Sequence, residues 1–135
     1  MTQPANRRAL VCVVDDDESV REALPDLLRE FDFAACAFAS AEDFLASDEL
    51  LEADCLVLDV AMPGMTGPEL HMELKRRASG IPVVFITAQS DEDVLTSLFA
   101  QGAIACLLKP FADTSLFDAV TTAVAAGGGA GDPDR

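Results

Sequence analysis

The sequence contains no tryptophan, no tyrosine and a single histidine among its 135 residues. Basic residues are also scarce, since 9 Lys and Arg stand against 24 Asp and Glu and give a formal net charge of −15. An electric field of that sign repels phosphate backbones and anionic membrane surfaces. We therefore expect neither direct nucleic-acid binding nor membrane binding.

Long apolar runs and closely spaced cysteines are absent as well. No segment approaches the roughly 18 apolar residues of a membrane span, and the start, MTQPANRR, lacks the apolar stretch of a secretory signal. The cysteines form no CxxC pair, which argues against a zinc site. We expect a cytoplasmic protein with free, buried thiols at Cys12, Cys36, Cys55 and Cys106.

Short apolar runs of strand length alternate with longer stretches whose apolar residues recur at helical spacing. This alternation predicts a parallel sheet with helices on both faces, because crossover connections are right-handed. The expected fold class is α/β: one doubly wound (βα)5 domain with a flavodoxin-like parallel sheet of order 2-1-3-4-5. The predicted strands cover residues 9–14, 34–38, 55–58, 83–86 and 104–108.

Helix starts and the domain boundary follow from local composition. Ser40, Thr66, Asp91 and Asp113 each stand where a helix is expected to begin. Helical spacing in the fourth helix predicts that Phe99 is buried. We assign residues 1–126 to the domain, and the glycine-rich residues 127–135 to a flexible tail or truncated linker.

Polar side chains follow four of the predicted strands, and the carboxyl ends of parallel strands meet at one edge of a sheet. Clustered carboxylates repel each other unless a cation neutralises them, which favours a hard divalent ion such as Mg²⁺. A nucleophilic carboxylate, a lysine and a hydroxyl beside such an ion suit phosphoryl transfer. The residues concerned are Asp15, Asp16, Asp17, Asp59, Thr87 and Lys109.

Four strings in this sequence, VVDDDE, LDVAMPGMTG, FITA and LLKPF, resemble the signatures of the response-regulator receiver family of two-component systems, in order and at the family's spacing. The phrases FASAEDFL and KPFADTSLFDAV are most similar to its FixJ-type branch. The resemblance covers the chain from about Ala9 to Val124. It implies a CheY-like domain that acts as a phosphorylation-operated switch.

By this resemblance, Asp59 is the phosphoacceptor and Thr87 and Lys109 assist the transfer. The metal, Mg²⁺ or Mn²⁺, is expected at Asp15, Asp16, Asp59 and the backbone carbonyl of Ala61, with Asp16 as a direct ligand. The Lys109–Pro110 peptide bond is expected to be cis. The chain would not be an enzyme beyond catalysing its own phosphorylation and dephosphorylation.

The resemblance also implies partners. The phosphoryl group would come from a sensor histidine kinase or a phosphotransfer protein, and the signal would pass to a downstream effector or to the chain's own output domain. Phosphorylation could trigger a homodimer. One departure concerns switching: Cys106 stands where the family commonly has Tyr or Phe. Ala61 and Gln89 occupy positions that tune the access of water to the acyl phosphate.

Two alternatives remain at this point. VVDDDESV also fits a haloacid-dehalogenase-like phosphatase with Asp15 as nucleophile and Asp17 as acid/base, although the segment after Lys109 lacks that family's further acidic strand end. A degenerate receiver could instead serve as a docking scaffold. His71 faintly resembles a phosphotransfer histidine, but a surface position on the third helix is the expectation.

Overall fold

Five parallel strands form one sheet in the order β2-β1-β3-β4-β5. The structure is a computed structural model and describes residues 8–88 and 91–131. The strands are β1 (Leu10–Val14), β2 (Ala34–Phe38), β3 (Cys55–Asp59), β4 (Val83–Thr87) and β5 (Ala105–Leu108). The predicted fold class and strand order are confirmed, and each predicted strand differs from the observed one by at most a residue at one end.

Five helices connect and follow the strands. They are α1 (Glu18–Glu30), α2 (Ala41–Leu45), α3 (Gly67–Arg76), α4 (Glu92–Ala100) and α5 (Asp113–Gly131), with a short 3₁₀ turn at Asp48–Leu51. None of the described helices is long and apolar enough to cross a membrane. The Lys109–Pro110 peptide bond is cis, as expected.

The capping residues explain where the helices begin. The side chains of Ser40, Thr66 and Asp91 accept hydrogen bonds from backbone N–H groups in the first turns of α2, α3 and α4. At α3 the cap is reciprocal, because Glu69 also accepts from the backbone N–H of Thr66 at 2.9 Å. These caps fix where α2, α3 and α4 start beyond the sheet edge.

Alternate residues of the central strands point to opposite faces of the sheet. Cys12, Val14, Leu56 and Leu58 pack on one face with residues of α2, α3 and α4. The other face packs against α1 and α5 and includes Val11, Val13, Cys55, Val57, Val84 and Ile86. Because β3 is buried on both sides, Asp59 stands at the end of a rigid central strand.

Two side chains lie where the sequence did not place them. The expectation that Phe99 is buried is wrong: the side chain is 50% exposed, and only Leu98 of α4 is fully buried. The expectation of a surface histidine is also wrong, since His71 is buried on α3 with its ring 5.6 Å from that of Phe85. The thiols of Cys12 and Cys55 are buried, whereas those of Cys36 and Cys106 are only partly buried.

The end of α5 extends past the predicted domain boundary. The helix continues to Gly131, whereas the domain was predicted to end at residue 126 and a flexible tail to begin at residue 127. Once a helix has formed, adding a residue is far less costly than starting a new turn, so a glycine-rich stretch can extend it. Residues 132–135 of the predicted tail, and Gln89, lie outside the described part of the chain.

Candidate functional site

The carboxyl ends of β1 and β3 bring three aspartates together. Asp15 follows β1 and is fully buried, Asp59 is the last residue of β3 and is 7% exposed, and Asp16 faces solvent. Each offers a carboxylate oxygen, and these oxygens all lie within 4.8 Å of one another. Two buried carboxylates and one exposed carboxylate therefore share one small volume.

Lys109 comes directly after β5 and is the cation of this cluster. Its Nζ lies 3.0 Å from Oδ2 of Asp15 and 3.6 Å from Oδ1 of Asp59. Partial burial acts to lower the pKa of Lys109, but the hydrogen bond and charge of Asp15, together with those of Asp59, outweigh burial and raise it. The lysine is therefore charged at neutral pH and lies between the two buried carboxylates.

Asp59 has an unusual proton affinity. Burial is the main cause that raises its pKa to about 6, and the negative charge of Asp15 adds to it, while Lys109 acts in the opposite direction. The charge and hydrogen bond of Lys109 offset only part of the combined effect of burial, Asp15 and Asp16. At pH 7 the Asp59 carboxylate is nevertheless mostly ionised and can act as a nucleophile.

This cluster fits a hard divalent cation. The donor set consists of carboxylate oxygens, which Mg²⁺ and Mn²⁺ prefer. Burial raises the pKa of Asp59 and the negative charge of Asp15 adds to it, so a cation bound beside Asp59 would stabilise its ionised form. Ala61, whose carbonyl was predicted to contribute, is an exposed residue just beyond β3, close in sequence to Asp59. The residues present therefore suit the predicted metal, through Asp15, Asp16 and Asp59.

Thr87 and Cys106 lie in the neighbouring strands. Thr87 is the last residue of β4, is 3% exposed and pairs in register with Leu108, directly before Lys109. Cys106 pairs with Phe85 and is partly buried against the core on the α2, α3 and α4 face. The structure thus brings Thr87 and Lys109 to the same sheet edge as the aspartates, and leaves Cys106 farther back along β5.

Asp17 has a structural task rather than a place in the cluster. Its Oδ1 accepts a hydrogen bond from the backbone N–H of Ser19 at 2.9 Å, and this contact caps α1. The backbone N–H of Asp17 donates in turn to Oδ1 of Asp15 at 2.9 Å. The acid/base role that the phosphatase alternative gave to Asp17 therefore has no support in this geometry.

Two residues that position the site were missed by the sequence analysis. Arg21 donates from its guanidinium to the backbone carbonyl of Asp15 at 3.1 Å. Gly67 packs so closely on β3 that a Cβ atom there would lie 2.1 Å from the carbonyl oxygen of Asp59. The string LDVAMPGMTG contained Gly67, so a glycine directly after a helix cap was an available signal for a close backbone approach.

Comparison with known proteins decides the family. The family described as response regulator receiver domain matches residues 11–121. The chain belongs to this family. Nodulation protein W of Bradyrhizobium diazoefficiens is 40% identical over 119 residues, and the match covers 88% of this chain and 52% of that protein. Transcriptional regulatory protein FixJ of Azorhizobium caulinodans is 38% identical over 110 residues, covering 82% and 52%.

Solved structures show the same receiver architecture. The response regulator StyR is 41% identical with a TM-score of 0.84, covering 91% of this chain and 62% of that one. FixJ-N is 33% identical with a TM-score of 0.78, covering 92% and 95%. This receiver chain spans about half the length of the curated relatives it matches. The matches support the receiver interpretation and not the haloacid-dehalogenase alternative.

Proposed function

We propose that this receiver domain accepts a phosphoryl group on Asp59. The observation that supports the proposal most directly is the buried, mostly ionised carboxylate at the end of β3, with Lys109 Nζ 3.6 Å away. Two-component response regulators receive phosphoryl groups from histidine kinases, and the family match covers every residue of the site. Small phosphodonors such as acetyl phosphate are a second source.

The proposed transfer is an in-line displacement at phosphorus. An oxygen of Asp59 forms the new P–O bond while the bond from phosphorus to the donor's leaving group breaks. Lys109 balances negative charge on the phosphoryl oxygens, and the hydroxyl of Thr87 donates a hydrogen bond to one of them. In autodephosphorylation, water attacks the same phosphorus while the bond from phosphorus to the Asp59 oxygen breaks, so that inorganic phosphate leaves and the free carboxylate is restored.

Asp15, Asp16, Asp59 and the carbonyl of Ala61 would hold Mg²⁺ or Mn²⁺, with Asp16 as a direct ligand. When bound, the ion supplies positive charge that offsets the carboxylates and the phosphoryl oxygens. The exposure of Asp16 gives solvent ions a route to the cluster. Lys109 forms an ion pair with the buried Asp15, with Nζ 3.0 Å from Oδ2, and so holds this carboxylate at the cluster.

We propose that the signal leaves through α4. Only one of its residues, Leu98, is fully buried, so few apolar contacts oppose a shift of the helix. Phe99 on α4 and Leu108 on β5 are 50% and 47% exposed and offer apolar area to a partner. With Cys106 in place of an aromatic side chain, movement of the segment between Thr87 and Asp91 would transmit the change.

The partners and the compartment follow from the same proposal. A sensor histidine kinase or phosphotransfer protein would supply the phosphoryl group. A downstream effector, an output domain of the same protein or a second copy of the chain would bind the activated surface. The cytoplasm suits this exchange, because such donors act there and the four cysteines are free thiols. No enzymatic activity beyond self-phosphorylation and its reversal is proposed.

Intact-mass spectrometry tests the acceptor, since fluorescence assays have no tryptophan to report on. The protein is incubated with acetyl phosphate, with Mg²⁺ or with a chelator, beside Asp59→Ala. Asp118→Asn is the matched control, because Asp118 is exposed on α5 away from the sheet edge. One phosphoryl adduct that needs Mg²⁺, persists in Asp118→Asn and disappears in Asp59→Ala is expected.

Two outcomes of that experiment would contradict the proposal. An adduct that survives Asp59→Ala would place the acceptor elsewhere. A folded wild-type protein without any adduct, under all donor and metal conditions, would favour the docking-scaffold alternative. Circular dichroism of each variant checks that the fold is retained.

A further inference from the structure

A pair of thiols lies in contact outside the phosphorylation site. Cys12 on β1 and Cys36 on β2 are directly paired in the register of the two parallel strands. Their Sγ atoms are 3.3 Å apart. Cys55 faces the opposite side of the sheet and Cys106 lies on β5 at the other edge, so neither competes for this contact.

We propose that Cys12 and Cys36 form a reversible redox site, in which exchange with a low-molecular-weight disulfide joins the two thiols as an intramolecular disulfide. The Cα atoms of directly paired residues on neighbouring strands are about 4.8 Å apart. Disulfides span Cα separations of roughly 4.4–6.8 Å. The strand spacing is therefore compatible with a disulfide, and the two sulfur atoms, 3.3 Å apart, would have to approach to about 2.0 Å.

Access to the pair comes from the side of Cys36. β2 is an edge strand of the sheet, and Cys36 is partly exposed, whereas Cys12 is fully buried. A small disulfide can therefore reach Cys36 first. Cys12, already in contact with it, is placed to complete the reaction from inside the protein. One thiol thus acts as the attacking group and the other as the resolving group.

The electrostatics of the pair agree with these roles. The hydrogen bond between the two thiols raises the pKa of Cys12, and burial raises it further. The same hydrogen bond lowers the pKa of Cys36 because it stabilises the Cys36 thiolate. It outweighs burial and the negative charge of Glu49, which act to raise that pKa, and the positive charge of Arg29 adds a smaller lowering effect. Cys36 is therefore the thiol that ionises first.

The reaction balances in two steps. The Cys36 thiolate attacks one sulfur of a glutathione-type disulfide, so that a mixed disulfide forms and one small thiolate leaves. The sulfur of Cys12 then attacks the sulfur of Cys36, the bond from Cys36 to the small thiol breaks, and the departing small thiolate takes the proton of Cys12. Overall, two protein thiols are oxidised to a disulfide, and the small disulfide is reduced to two thiols.

The test uses the complete chain and glutathione disulfide. After incubation, remaining thiols are alkylated in denaturant and the intact mass is measured. The expected product carries two alkyl groups, whereas the fully reduced protein carries four. It also lacks the two thiol hydrogen atoms that are lost when the disulfide forms. Treatment with dithiothreitol before alkylation is expected to restore the form with four alkyl groups. A glutamate-specific protease separates Cys36 from Cys55 by cleavage after Glu42, so the cross-linked peptides identify the pair.

Matched variants make the assignment specific. Cys36→Ser is expected to abolish the cross-link, whereas Cys106→Ser, also at a partly exposed strand cysteine on the same face, is expected to retain it. Four alkylated cysteines in the wild type after treatment would overturn the proposal. A stable glutathione adduct on Cys36 without closure, or a cross-link between other cysteines, would overturn it equally.

Discussion

Asp59 binds a proton more tightly in the folded chain than in the unfolded one. Its folded pKa is about 6, raised by burial and by Asp15 from the usual 3.8. Between these two values the native state binds more protons than the unfolded state, so stability falls as pH rises through this window. Without a metal ion, ionised Asp59 therefore destabilises the fold at pH 7.

Replacement of Asp59 by Asn should remove this destabilisation. We expect Asp59→Asn to be more stable than the metal-free wild type at pH 7, by on the order of 1–3 kcal/mol, because a neutral amide needs no counter-charge. At pH 4, where Asp59 is protonated in the folded state, the difference should largely vanish. Urea unfolding followed by circular dichroism at both pH values measures it.

Mg²⁺ provides the internal comparison for that measurement. Because the ion binds the folded wild type, it should raise the stability of wild type more than that of Asp59→Asn. If Asp59→Asn were less stable than the metal-free wild type at pH 7, the prediction would be wrong, because the ionised Asp59 carboxylate would then not destabilise the fold.

Residue-type preferences misled the sequence analysis where spacing would have succeeded. On α3 the buried residues are Gly67, Leu70, His71 and Leu74, which recur at helical spacing. His71 belongs to that stripe, but histidine is usually expected at a surface. Phe99 is the opposite case, since helical spacing predicted that it is buried. The helix α4 contacts the sheet along a narrow stripe in which Leu98 is the buried residue, and the spacing of apolar residues does not show how wide such a stripe is.

At the level of elements, the start of α3 is fixed to the end of β3. The backbone N–H of Gly67 donates to the carbonyl oxygen of Val60 at 3.1 Å, and Thr66 and Glu69 cap the helix. The helix therefore begins against the backbone that carries Asp59. This contact couples the position of a helix to the position of the proposed phosphoacceptor.

Any side chain at Gly67 should disturb this junction. A Cβ atom there would lie 2.1 Å from the carbonyl oxygen of Asp59, which is backbone and has little freedom to move. We expect Gly67→Ala to lower the free energy of unfolding by about 2–3 kcal/mol and to reduce phosphorylation of Asp59. Urea unfolding and the intact-mass assay measure the two effects.

Gly80→Ala is the matched control for that variant. A Cβ atom at Gly80 would have no neighbour within 4 Å, so its stability should change by less than about 0.5 kcal/mol. If Gly67→Ala were as stable and as readily phosphorylated as Gly80→Ala, the junction between β3 and α3 would not be tightly packed.

Element positions were largely predictable because local signals agree. Strands of parallel sheets are short apolar runs, and Ser40, Thr66 and Asp91 mark three helix starts. The register between strands is a non-local property that no single segment specifies. The predicted strand order places β1 beside β2, but order alone does not specify the register. The direct pairing of Cys12 with Cys36, each in the middle of a five-residue strand, therefore became evident only in the structure.

Across the whole molecule, negative charge is in large excess. The formal net charge is −15, and self-repulsion of that size opposes the compact state. Raising the NaCl concentration from about 10 mM to about 150 mM shortens the Debye length from about 30 Å to about 8 Å. We therefore expect the thermal unfolding temperature of the metal-free protein to rise over this range.

Scanning calorimetry or circular dichroism measures that temperature, and KCl should act like NaCl because screening depends on ionic strength. Asp59→Asn should show a similar rise, since the repulsion is spread over the surface. A rise that is absent from Asp59→Asn would instead trace the salt effect to the aspartate cluster. A salt-independent unfolding temperature would contradict whole-molecule repulsion.

The architecture and the main site could be predicted together because one follows from the other. All strands of a parallel sheet have their carboxyl ends at the same edge. Once the strands are recognised and connected by right-handed crossovers, the residues that follow them are therefore expected to lie close together. These residues are Asp15, Asp59, Thr87 and Lys109. The supporting contact of Arg21 could not be predicted in this way. It depends on the direction in which a long side chain folds back over the β1–α1 turn.

The contact between Lys109 and Asp15 joins positions that are 94 residues apart in the chain. Protein synthesis begins at the N terminus, so all three aspartates leave the ribosome before the lysine does. A nascent chain that has reached only β4 contains the mutually repelling carboxylates without the cation that pairs with them. The arrival of β5 therefore supplies the missing charge, and assembly of the site coincides with completion of the sheet.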